Sequence, residues 1–184
     1  WLTWLEENSE ERFFLYLHLI EPHFPYSPSK ESCSALGIDF AKGKDHLDLR
    51  QPLKTWYAEG VGSASDLREM AARHLDLYDA EVLDADRAIG RVLDQLKSLG
   101  VYDQTLICVT SDHGEEFIEH GWAQHDAQLM DESLHVPLVF SGPGVPVGEV
   151  IEGPVENRHL AQTLLALAMV EGEGAGTSSN LLDP

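Results

Sequence analysis

Hydrophobic and polar positions alternate along the chain between two periods. Arg12-Phe13-Phe14-Leu15-Tyr16-Leu17-His18-Leu19-Ile20 is short, aromatic and almost wholly apolar, the pattern of a strand buried on both faces. Residues 27–66 carry Pro28, Pro52 and scattered Gly and Ser, following Pro22 and Pro25, and read as a long irregular excursion. Such a stretch is uncommon in a compact domain and is often functional. From about Leu67 to Leu99 the period changes: Leu75, Tyr78, Val82, Ala85, Ile89, Val92 and Leu96 define one helical face, and Gly100 supplies the stop. A β-branched run, Thr105 to Thr110, predicts a second strand, and Val136 to Phe140 a third. A last helix is expected near Arg158–Val170, before a polar tail over 171–184. Strand, long helix, two strands and a helix predict a layered α/β domain, with functional loops at strand C-terminal ends.

Composition narrows the function classes. The 184 residues are 43% hydrophobic, enough for a continuous core. Thirty-two Asp and Glu against twelve Lys and Arg give a formal net charge of −20, which repels a phosphate backbone and excludes general nucleic-acid binding. The same charge argues against docking on anionic membranes. Cys33 and Cys108 are too few for a disulfide scaffold. No apolar run approaches the roughly 20 residues that span a bilayer. The opening Trp1-Leu2-Thr3-Trp4-Leu5 reads as the interior of a longer sequence.

Chemistry concentrates in two places. Ser111-Asp112-His113-Gly114 ends the second strand, and a carboxylate beside an imidazole at a strand-to-loop turn forms a candidate pair of ligands for one divalent cation. Taken alone, the dipeptide fits a turn-capping Asp and a flanking His somewhat better. His120 and His125 then follow in Glu119-His120-Gly121-Trp122-Ala123-Gln124-His125-Asp126, a density that a solvated face does not need. After the first strand, Pro22 and Pro25 restrict the loop on both sides of His23 and aim that imidazole, whereas His18 inside the strand reads as a satisfied core histidine.

These segments together resemble the sulfatase family. Residues 14–18 with Pro22-His23-Phe24-Pro25-Tyr26 are similar to its L-H-x-x-x-P-H-x-P-Y segment. Tyr78-Asp79-Ala80-Glu81-Val82, with Asp86 and Ile89-Gly90, resembles its long helix. Thr110-Ser111-Asp112-His113-Gly114-Glu115 through His125, and Asp131-Glu132-Ser133-Leu134-His135-Val136-Pro137-Leu138, resemble its metal loop and the segment after it. Leu160-Ala161-Gln162-Thr163-Leu164 is similar to a late family helix, from which Ala161 and Gln162 depart. The resemblance covers about Arg12 to Pro184. It implies an alkaline-phosphatase-like layered domain with a central, mostly parallel or mixed sheet and flanking helices. It further implies hydrolysis of a sulfate ester by a formylglycine hydrate at one divalent metal, usually calcium. On that resemblance Asp112 and His113 are metal ligands. His23 contacts the sulfate or assists the leaving oxygen, and His125 lies near a Lys or His position that binds the same anion. An imidazole ligand leaves manganese or zinc open beside calcium.

The departures are equally informative. The family nucleophile and an acidic ligand pair precede the P-H-x-P segment, and residues 1–11 contain neither. Cys33-Ser34-Ala35-Leu36-Gly37 has Gly where the maturation signature has Arg and follows His23, so Cys33 is not the nucleophile. Cys108 reads as a small core residue. The expectation is therefore the C-terminal part of one sulfatase-like catalytic domain, inactive by itself, whose whole acts on a small-molecule sulfate ester. Localisation outside the cytoplasm or in the periplasm rests on the resemblance alone. Two alternatives stay open. One is a phosphoryl-transfer relative, a phosphonate or phosphodiester hydrolase or a phosphoethanolamine transferase, which shares the Asp-His pair. The other is a non-catalytic metal-binding or interaction module.

Overall fold

A computed structural model describes residues 1–40, 49–60, 62–125, 128–170 and 181. The chain divides into two compact units: Trp1–Gln95 with His113–His135, and Leu96–Asp112 with Val136–Pro184.

The first unit is helical. α1 (Leu2–Asn8) buries Leu5, sets Trp4 edge-on to Phe13 at 5.9 Å, and is tied to the long helix by Gln95 Nε2 donating to Glu6 at 2.9 Å. Residues 12–20 then run without helix or ladder hydrogen bonds to any described residue. Their exposure alternates, with Phe14 at 81% and Tyr16 at 74%, and His18 faces outward too. The expected strand buried on both faces is thus a segment covered on one face, and His18 is no core histidine. Continuous hydrophobicity predicts burial, but a ladder also needs a neighbouring backbone to satisfy its N–H and C=O groups.

The excursion expected over 27–66 contains two helices. α2 (Lys30–Ala35) starts where the Ser29 hydroxyl accepts from the Ser32 N–H at 3.1 Å. α3 (Arg50–Glu59) has Pro52 in its first turn, where a missing N–H costs nothing, and ends on Gly60 in the left-handed region. Residues 41–48 and 61 of the excursion lie outside the described residues, as do 171–180 and 182–184 of the expected tail, and Asp126.

α4 (Ala64–Ser98) is the long helix, and its last residues from Leu96 belong to the second unit. Leu67 and Ala71 on its first turns join Leu49, Leu53 and Ala123 in a core flanked by Trp56, Met70 and Ile118. Further along, the buried positions are His74, Leu77, Ala80 and Glu81, while Leu75 and Val82 are exposed. The expected face is therefore rotated by about one residue. Two polar residues occupy buried positions because the loop opposite supplies partners for them, as described below.

The second unit holds the only ladder among the described residues. β1 (Ile107–Thr110) and β2 (Leu138–Ser141) pair antiparallel, Ile107 opposite Ser141 and Thr110 opposite Leu138. Cys108, half-buried opposite Phe140, has its thiol pushed up by burial. Asn157 Nδ2 donates to the Ser111 carbonyl at 3.1 Å, and the closing helix α6 (Leu160–Leu167) buries Thr163, whose hydroxyl donates to the His159 carbonyl at 2.9 Å. α5 (Asp131–Leu134), a single turn, belongs to the first unit.

Candidate active site

Three imidazoles meet in the first unit. The His113 and His125 rings stack at 3.7 Å between centroids, and the His23 ring lies 5.8 Å from His125. They come from two loops, and the sequence explains each placement.

His113 opens the loop that leaves β1. Gly114 N–H donates to the Ser133 carbonyl at 2.8 Å and Glu115 N–H to the Glu132 carbonyl at 3.0 Å, which pins the loop to α5. Residues 116–124 then double back: Ile118 N–H donates to the Trp122 carbonyl at 2.8 Å, Phe117 bridges Ala123, and Gln124 N–H donates to the Glu116 carbonyl at 2.9 Å. This return brings His125 alongside Glu115, whose Oε1 accepts from His125 Nδ1 at 3.1 Å.

His23 sits in the proline-stiffened loop, where the Glu21–Pro22 and Phe24–Pro25 bonds are both cis. α4 holds this loop by its backbone. Ser27 N–H donates to the Glu81 carboxylate, and Ser29 donates to Asp84 through N–H and hydroxyl, each at 2.7 Å. Burial works against the Asp84 charge, yet the hydrogen bonds from Ser29 and Ser32 keep its carboxyl below the usual range. Glu81, 2% exposed, is pushed up to about 7, first by burial and further by the nearby Glu21 and Asp84 charges, against the pull of the Ser27 N–H.

Between the loops, buried Tyr26 donates its hydroxyl to Glu115 Oε2 at 3.0 Å. Burial, then Glu115, drives its phenol upward, so it remains a donor throughout the ordinary pH range. His74 packs on the rings of Phe24 and Tyr26. Glu115 is thus shared between the tyrosine and His125, and neither it, Tyr26, His74 nor Glu81 stood out as functional in a chain with 32 acidic residues.

Each of the three imidazoles has Nδ1 facing an oxygen that accepts. His113 Nδ1 faces the Gly114 carbonyl at 2.8 Å, His23 Nδ1 the Phe24 carbonyl at 2.6 Å, and His125 Nδ1 Glu115. A carbonyl cannot donate, so for His113 and His23 the ring proton is on Nδ1 in the neutral state and Nε2 carries the lone pair. That tautomer suits His113 for a metal ion, its Nδ1–H being held as ligating histidines commonly are. Asp112 is exposed, two residues past β1, and belongs to the second unit. Imidazole nitrogen plus carboxylate oxygen fits a divalent cation. Cys33 is fully buried in α2 with its thiol pushed up by burial, which makes it inert.

Comparison with known proteins sets this chain in a class. A protein solved with k-i-k-neocarrahexaose, Ps i-CgsB, superposes on 98% of this chain and 35% of its own with a TM-score of 0.62 at 23% identity. The phosphonate monoester hydrolase SpPMH of Silicibacter pomeroyi matches over 72% of this chain and 28% of its own, TM-score 0.57, 28% identity. The fold is therefore that of the sulfatase and alkaline-phosphatase-like α/β proteins. The chain belongs to the Sulfatase family, whose model matches residues 1–170. A protein named sulfatase from Formosa agariphila is 35% identical over 96% of this chain and 36% of its own length. The chain spans about a third of the length of the curated relatives it matches.

Proposed function

We propose that this chain supplies the metal loop and the anion-binding histidines of a sulfuric ester hydrolase acting on a small-molecule sulfate ester. The observation that carries the reading is the convergence of His23, His113 and His125, with Nδ1 of His23 and His113 set against carbonyls and that of His125 against Glu115. Asp112 and His113 would hold one divalent ion, calcium or, given the imidazole, manganese or zinc. When bound, such an ion supplies positive charge against the sulfuryl oxygens. The remaining work falls to the histidines. His125, with Glu115 balancing its charge, donates from Nε2 to a sulfuryl oxygen when protonated. As an attacking oxygen forms its bond to sulfur and displaces the bridging oxygen, His23 in its doubly protonated form gives its Nε2 proton to that oxygen and keeps the one on Nδ1, so the leaving group departs as a neutral alcohol. Tyr26 fixes Glu115, and Glu81 fixes the backbone beneath His23.

In the protein that carries this chain, His125→Ala is expected to lower aryl sulfate turnover by about 10²-fold or more, the effect of removing an electrostatic contact at the reacting group. Turnover within a factor of three of the parent would return His125 to a structural role. A phosphoryl-transfer reading is favoured by the likeness to the phosphonate monoester hydrolase. Parallel assays on an aryl sulfate and a phosphonate monoester discriminate the two.

A further inference from the structure

The hairpin that returns His125 to Glu115 also builds a second group of donors that the proposed reaction does not use. Glu116, His120 and Glu132 bring one ligand atom each to within 4.8 Å of one another. His120 Nε2 and Glu132 Oε2 already meet at 3.0 Å. Glu116 is different. It is 1% exposed, and both of its carboxylate oxygens are buried without a hydrogen-bond partner. A buried carboxylate with neither oxygen satisfied is costly unless something neutralises it. Burial raises its carboxyl above the ordinary range, and the His120 side chain pulls the other way. A proton would neutralise Glu116 but would satisfy only part of its acceptor capacity.

We propose that Glu116, His120 and Glu132 form a second cation site, distinct from Asp112 and His113, that takes a zinc-class divalent transition ion. Two carboxylates and a neutral imidazole balance a dication, and the mixed nitrogen and oxygen donors favour zinc, cobalt or manganese over calcium. Donors about 2.1 Å from one ion in a tetrahedron stand about 3.4 Å apart, so three ligand atoms already within 4.8 Å of one another reach that geometry by small side-chain shifts. His120 and Glu132 are partly exposed and free to make that adjustment by side-chain rotation, whereas Glu116 is fixed by the hairpin. Ligation through Nε2 moves the His120 ring proton to Nδ1 by way of solvent and releases any proton on Glu116, so uptake strengthens as pH rises. Both Glu115 and Glu132 are anchored through the backbone bond between them, so an ion here stiffens the loop that presents His113 and His125.

The 184-residue chain, stripped with chelator, is titrated with Zn²⁺ by calorimetry and with Co²⁺ by visible absorption. In His113→Ala, where the Asp112 and His113 pair is disabled, one saturable event is expected, weakened at least about 100-fold when Glu116→Gln or Glu132→Gln is added to it. Glu132→Gln, on a partly exposed side chain, keeps the test decisive if the buried substitution unfolds the hairpin, which circular dichroism reports. Equal binding by His113→Ala and by both Gln variants built on it would overturn the proposal, as would no binding by His113→Ala below millimolar ion. The turnover assay of His125→Ala is independent of all of these outcomes.

Discussion

Gly114→Ala is expected to lower stability by about 2–4 kcal/mol and to abolish the stacking of His113 on His125. A Cβ at position 114 would stand 2.0 Å from the Glu132 carbonyl oxygen, 3.1 Å from its carbon and 3.4 Å from Ser133 Cα. All three are backbone atoms, so no side chain can swing aside. That same Glu132 carbonyl accepts from Glu115 N–H, and Gly114 N–H is bonded to Ser133. Relief of the clash must therefore break the two bonds that pin the loop to α5 and leave buried groups unmet. For a chain of this size the loss corresponds to about 5–15 °C in Tm. Gly90→Ala is the matching control: Gly90 lies within α4 with nothing near its would-be Cβ, so alanine there is neutral or stabilising by up to about 1 kcal/mol. Thermal unfolding of the two variants side by side checks this, and equal Tm values would refute it.

The second large effect is a pH dependence. The Glu81 carboxyl is raised from 4.5 to about 7 in the folded protein, by burial above all. The folded state therefore prefers the protonated acid, and the stability this contributes is complete below about pH 4.5 and is lost as pH rises through about 7. Between those limits the parent should lose about 3 kcal/mol relative to Glu81→Gln, whose amide does not titrate but still offers an oxygen to the Ser27 N–H. Urea unfolding at intervals from pH 4.5 to 8 measures both slopes. Parallel curves would show that Glu81 titrates near its ordinary value.

Both effects involve residues that the sequence leaves obscure, and the reasons differ. β1, β2 and α4 are legible because one period of hydrophobicity runs through each and Gly or a turn closes it. α2 and α3 carry cap signals, Ser29 and Gly60, but the prolines around them read as breakers. The buried stripe of α4 was misplaced because His74 and Glu81 look like solvent residues until Phe24, Tyr26 and Ser27 are set opposite them. Residues 12–20 show the converse: local hydrophobicity is visible, but a ladder depends on a distant backbone. At the candidate site, His23, His113 and His125 are marked in the sequence by clustering and by resemblance. Glu115 and Tyr26 could not be, since their bond joins positions 26 and 115 and nothing local marks it.

α4 also acts as a ruler. Glu81 and Asp84 grip the His23 loop, and Gln95, three turns on, grips α1 through Glu6. A helix turns by about 100° and advances about 1.5 Å with every residue, so deleting one residue near Ala88 would swing Gln95 away from Glu6 while Glu81 stayed in place. Substitution along the exposed side of α4 is cheap, but its length is not negotiable. Genes encoding such chains are therefore expected to vary in the letters of this stretch and to reject insertions or deletions within it.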